Sequence, residues 1–220
     1  MEAKDPKLGQ LIHEYLLANK VENPAFFTQS ATKNSTQIQQ KMHELLTLLG
    51  LDVAHPSITA TPQRMAQFFT EELFYGLDYA NFPAINTSVN DYHYHSPLYA
   101  QDIGFNSTCE HHLVAISGFA HVAYIPRDTI VGLSKINRIV DFFAKRPQVQ
   151  ERVTRQIFLT LQKVLETEDV AIIVQAKHHC IAIRGIRDSN TMNTTVEFGG
   201  KFKSDQNLQA TLHKLSSPSK

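Results

Sequence analysis

Residues 112–125, HLVAISGFAHVAYI, lie in the part of the chain where, from about Thr87, helical patterns give way to shorter segments rich in β-branched and aromatic residues. Apolar, β-branched and aromatic residues fill 112–116 and 119–125, and Ser117-Gly118 between them reads as a turn, so the run predicts a hairpin. Downstream, 170–176 and 180–186 have the same character, and 191–202 could add another strand. The helical patterns lie elsewhere. Residues 36–49 put Ile38, Met42, Leu45, Leu46 and Leu49 on one face, predicted to pack into the core, with Gly50 as the stop. Thr61-Pro62 opens a helix with Met65, Phe68, Phe69, Leu73 and Phe74 inward and Arg64 in its first turn. Ser134 is the expected cap of a helix that buries Ile136, Ile139, Val140 and Phe143, and 147–166 forms another through Val153, Ile157 and Leu161. Helices and strands are segregated rather than strictly alternating. This predicts an α+β fold, a largely antiparallel sheet with helices on one face.

The 220 residues suffice for one sizeable domain, preceded by a smaller helical segment in which Leu8, Ile12, Tyr15 and Leu16 share a face before Asn23-Pro24. Residues 1–36 are read as this extension and its linker, and 37–220 as the main domain. Lys and Arg number 21 against 21 Asp and Glu, so no overall field draws the chain to nucleic acid or an anionic membrane. Any phosphate binding must be local. The longest apolar run, 170–174, is far too short for a bilayer and the start MEAKDPK lacks a secretory signal, so a soluble, cytoplasmic protein is expected. In that setting the Asn-x-Ser/Thr triplets at Asn34, Asn86, Asn106 and Asn193 are chance matches.

Two cysteines are too few for a disulfide scaffold, but both sit among histidines: Cys109-Glu110-His111-His112 and His178-His179-Cys180. A Cys-x-x-His pair can bring thiolate and imidazole to one ion from a tight bend, and Cys180 supplies a third ligand from a distant segment. With no third cysteine to close the shell, a fourth position is left for water, the arrangement of catalytic zinc. Strand periodicity would place His178, Cys180 and Arg184 on one face. Two buried thiols beside surface histidines, or a redox pair lacking the usual Cys-x-x-Cys spacing, are the competing readings.

Longer motifs accompany these residues. Ser107-Thr108-Cys109-Glu110-His111-His112, Gly132-Leu133-Ser134-Lys135-Ile136-Asn137-Arg138, Arg146-Pro147-Gln148-Val149-Gln150-Glu151-Arg152 and His178-His179-Cys180, with Arg184-Gly185-Ile186, resemble GTP cyclohydrolase I in order and spacing. The resemblance covers about 38–208, including Gly76-Leu77-Asp78-Tyr79, and fades in the N-terminal extension. It implies the tunnelling fold, in which sheets of several subunits join into a barrel, and a homodecamer with active sites at subunit interfaces. It also implies zinc-dependent hydrolysis of GTP at guanine C8, releasing formate and giving 7,8-dihydroneopterin triphosphate for folate or tetrahydrobiopterin synthesis. Iron or manganese could fill the same site, although two thiolates and an imidazole favour zinc.

Carried onto this chain, the resemblance gives Cys109, His112 and Cys180 as metal ligands and His111 and His178 as proton carriers, a role suited to imidazole near neutral pH. Either histidine could instead orient the metal ligands. Glu151 matches the carboxylate that accepts N1–H and the 2-amino group of guanine, against a plain charge at a helix N-terminus. Gln150 and Ser134 are expected at the substrate, with surface polarity and helix capping as their ordinary roles. Glu110 is expected there too, orienting a cation such as Arg184 or packing structurally. No Gly-x-x-x-x-Gly-Lys-Ser/Thr run occurs, so Arg64, Lys135, Arg138 and Arg184 are the candidates for the triphosphate. Where the family commonly has a lysine one turn after Arg64, this chain has the neutral Gln67, so one phosphate contact lacks its charge and weaker triphosphate binding is expected. Two other functions share the motifs: a ring-opening enzyme of a deazaguanine route, and a non-catalytic homologue that binds nucleotide or pterin.

Overall fold

The computed structural model describes residues 3–23, 34–184 and 187–217. Gly185 and Ile186, residues 31–33 of the expected linker, and Pro24 lie outside them. In chain order the elements begin with helices α1 (Pro6–Ala18), α2 (Ser35–Leu48) and α3 (Thr61–Gln67), the last running on into a wide π-turn at Phe68–Leu73. Strands β1 (Thr87–Val89), β2 (Leu98–Cys109), β3 (Ala115–Tyr124) and β4 (Thr129–Val131) follow, then α4 (Leu133–Ala144), β5 (Pro147–Gln148) and α5 (Gln150–Leu165). The chain continues through β6 (Val170–His178), the one-turn helix α6 (His179–Ala182), β7 (Asn193–Phe198), α7 (Gly200–Ser204) and α8 (Gln206–Leu215). Helices and strands are segregated, and the α+β tunnelling-type fold expected from sequence holds.

One sheet has the order β5-β2-β3-β6-β7, antiparallel throughout except for the short β2–β5 pair. Strand alternation divides its two faces. Val122 and Tyr124 of β3 and Ile172 and Val174 of β6 meet α4, α5 and α1 in the main core, while Ala123, Ala171 and Ile173 on the opposite face meet Phe202 and Leu212 of α7 and α8. The main helical layer therefore covers one face, and the C-terminal helices cap part of the other.

α1 is built into the same core rather than standing apart. Asp5 caps it by accepting from the Lys7 and Leu8 amides, and Ile12 and Leu16 are fully buried. Gly9 allows the close approach, since a Cβ there would lie 2.1 Å from the Tyr79 carbonyl oxygen. Beyond α1, the Glu22 carboxylate is buried against Arg146, whose Nη1 lies 3.5 Å from Oε1 and whose guanidinium is covered by Tyr79, Phe142 and Phe143. The Tyr79 hydroxyl donates to the same carboxylate, as does Gln156 Nε2 at 3.1 Å.

Several expectations change. α3 and its π-turn bury Pro62, Ala66 and Thr70 and leave Phe68 45% exposed, and residues 147–148 pair with β2 before the helix starts at Gln150. Ser117 and Gly118 are not a turn: they lie inside β3, paired with Lys177 and Ala176, and the hairpin turn is at 110–114. Glycine is required at 118 for a different reason, because a Cβ would fall 2.0 Å from the Gln175 carbonyl oxygen of β6. Of the strand expected at 180–186, residues 180–184 are not a strand, since β6 ends at His178 and the chain coils into α6; 185 and 186 lie outside the described residues. Ser134 does not cap α4; Gly132 holds the cap position, no side chain caps the helix, and Ser134 is exposed in its first turn. Finally, α2 buries no residue: it packs mainly on α3, outside the sheet's core, and leaves Leu48 86% and Leu49 69% exposed.

Candidate metal centre

Cys109 is the last residue of β2, 4% exposed, where two bonds close a tight turn: its amide donates to Val114 O at 2.8 Å and its carbonyl accepts from Leu113 N at 2.9 Å. Leu113 takes φ +52, a left-handed conformation rare for leucine, which lets the chain reverse within this turn. The reversal turns His112 back over Cys109. On the other side of the sheet ladder, α6 carries Cys180. Ligand atoms of Cys109, His112 and Cys180 all lie within 4.8 Å of one another, a grouping found from these three residues among those described.

The donor set fits a borderline-soft divalent cation. Burial pushes the Cys180 thiol up, the adjoining Cys109 thiol adds to this, and Arg184 opposes it. Two thiolates this close repel one another, so a shared cation is what lets both ionise. The cysteines are free, which leaves both available as ligands.

Around this centre the proton-carrying candidates are held differently. His178 Nε2 lies 2.8 Å from Gln150 Oε1. The Gln150 amide nitrogen is placed by Val174 O at 3.0 Å, Asn193 O at 3.0 Å and Thr195 Oγ1 at 3.2 Å, so its oxygen must face the imidazole. An amide oxygen only accepts; His178 therefore carries its proton on Nε2 and keeps Nδ1 for the site. Burial pushes the His178 pKa down, partly offset by the Glu151 charge, which favours this neutral ring. Gln150 itself is 2% exposed, and its amide is engaged within the chain rather than at the surface. His111, by contrast, has a 64% exposed side chain, with Nδ1 3.8 Å from Cys109 Sγ.

Glu110 finds a partner that the sequence reading did not name. Its carboxylate accepts two bonds from Arg152, at 2.6 and 3.3 Å, rather than orienting Arg184. This fork ties the metal turn to the first turn of α5, and the Glu110 amide donates to Gln148 O at 3.1 Å beside it. Arg152 belongs to the Arg146–Arg152 motif, a cation beside Glu151 in the first turn of α5. Glu151 sits in that first turn, and Arg184 follows α6 closely enough to act on Cys180.

Lys135 and Arg138 lie along α4, and Arg138 lines a cavity of about 180 Å³ with Lys4, Tyr75, Asn81 and Asp141, none of them in the metal turn. Arg64 is exposed on α3, whose main packing is with α2 and the π-turn.

Fold and site together define an α+β enzyme scaffold with a metal-capable Cys/His/Cys centre flanked by histidines. A family model described as GTP cyclohydrolase I matches residues 38–217, and the chain belongs to that family. A GTP cyclohydrolase 1 of Yersinia enterocolitica is 48% identical over 204 residues, covering 92% of this chain and 93% of its own. One of Tolumonas auensis is 49% identical over 212 residues, covering 96% and 97%. Among the described residues no helix is long and apolar enough to cross a membrane.

Proposed function

We propose that the chain hydrolyses GTP at guanine C8, releasing formate and forming 7,8-dihydroneopterin triphosphate, with zinc held by Cys109, His112 and Cys180. The observation that carries the reading is the convergence of those three ligand atoms within 4.8 Å, beside two histidines, in a member of this family. Zinc in such a site supplies Lewis acidity that activates water near neutral pH.

The chain's own residues do the rest. Guanine is a poor electrophile at C8 until N7 accepts a proton, which the exposed His111 can deliver. His178, neutral and held by Gln150, takes up at Nδ1 the proton that the attacking water gives up. Glu151 accepts from N1–H and the 2-amino group, and this pairing selects guanine over adenine. Arg64, Lys135, Arg138 and Arg184 hold the triphosphate in this reading, Ser134 contacts the substrate, and Gln67 contributes no charge. Because Arg64, Ser134, Lys135 and Arg138 are spread over α3 and α4, we infer that copies of the chain assemble so that one completes the site of another. The exposed leucines of α2 give such an assembly apolar surface to bury. Residues 37–220 are then the catalytic unit, and residues 1–36 an extension fastened to it. A cytoplasmic setting suits the free thiols.

Purified protein incubated with GTP should release formate together with a product that fluoresces after oxidation and has the mass of a dihydroneopterin triphosphate. Metal analysis of the same sample should give about one zinc per chain. Formate without a neopterin species would point instead to the deazaguanine-type relative, and no formate to a binding homologue. For Glu151→Ala, preference for GTP over ATP is expected to fall by about 10- to 100-fold, the scale of one lost charged hydrogen-bond pair. Unchanged selectivity would remove Glu151 from the guanine edge.

A further inference from the structure

We propose that His179 and Ser117 form a positioning pair for the metal centre, a latch that holds α6, and Cys180 with it, against β3. The inference rests on the metal reading above and adds two residues to it.

The three ligands are not equally supported by backbone. Cys109 ends a strand paired on both sides, and His112 lies in the turn that Cys109 closes. Cys180 has no such support. The β3–β6 ladder runs Ser117↔Lys177 and Ile116↔His178 and stops there, so Cys180 stands two residues past the last paired position. Its own element is a four-residue helix closed by Ile183 N donating to His179 O at 3.0 Å. A single helical turn is unfavourable by itself and depends on side-chain contacts for its place.

The side chain that crosses back is His179. Its Nε2 lies 2.8 Å from Ser117 Oγ, a bond from the residue before the ligand to β3, the neighbour of the strand that the chain has just left. His178 on the preceding position is tied to Gln150 on α5. Two adjacent imidazoles thus anchor the exit from β6 to two different elements, and Cys180 is presented from a fixed point. Partners that orient a ligand without touching the metal commonly change affinity by about 10- to 100-fold when removed.

The test compares Ser117→Ala, His179→Ala, the double variant and the conservative Ser117→Thr, using zinc affinity by chelator competition and the visible spectrum of the cobalt-substituted protein. Each alanine variant should bind zinc about 10-fold more weakly or worse. The double variant should be no weaker than the worse single one, since both remove the same bond. Ser117→Thr should restore affinity, and the cobalt spectra of the alanine variants should differ from that of the parent. Parent-like affinity in both alanine variants, or losses that simply multiply in the double variant, would overturn the latch while leaving the metal site standing. A parent chain that takes up no zinc would instead sink the metal reading, and the latch with it.

Discussion

Cys109→Ser is expected to leave the fold intact and remove both the metal and formate release. Serine is nearly isosteric at this position, so circular dichroism should change little and the unfolding midpoint should match that of the metal-free parent. A hydroxyl does not ionise to a soft anion near neutral pH, and two of three protein ligands cannot hold the ion in competition with water. Lewis-acid activation is worth several kcal/mol, which corresponds to about 10³-fold or more in rate. Metal content by mass spectrometry and formate release should therefore collapse together. Full activity in a metal-free Cys109→Ser preparation would refute the mechanism.

Glu22→Ala should cost about 3–5 kcal/mol of stability, the penalty for removing one partner of a buried ion pair. Arg146 is fully buried and the Glu22 side chain is 3% exposed, so solvent does not screen the loss. Five groups converge on this carboxylate: Arg146, Gln156, the Tyr79 hydroxyl, His13 Nδ1 at 3.1 Å and the Asn23 amide at 2.8 Å. Burial pushes the Tyr79 pKa up, so its hydroxyl remains a donor across the ordinary pH range. The strand that follows Arg146 pairs Gln148 with Cys109, so loosening this cluster also loosens the metal turn. Urea unfolding of Glu22→Ala and Glu22→Gln measures it, with the amide expected to retain part of the stability. A loss below about 1 kcal/mol in the alanine variant would mean that Arg146 is supported chiefly by its aromatic neighbours.

Much of the site is legible in the sequence because its closest relations are local. Cys109 and His112 are three residues apart, and a tight turn fixes their distance whatever the rest of the chain does. The helices of 133–144 and 150–165 are written in apolar periodicity, which needs no knowledge of distant partners. Misreadings arise where the same residues serve two geometries. Ser117-Gly118 suits a turn, yet here glycine makes room for a neighbouring strand; an apolar face on α2 suits a core, yet here it lies outside one.

Cys109, His112 and Cys180 as candidate ligands, the flanking histidines and the α+β class all follow from spacing, period and motif along the chain. That Cys180 rides a helical turn, that Glu110 pairs with Arg152, that Gln150 fixes the His178 ring and that Glu22 closes on Arg146 emerges from packing alone. Those pairings join segments 28 to 124 residues apart. Strand register and helix docking set them, and both are properties of the packed whole: burial raises the cost of an unpaired charge or amide until one arrangement is left.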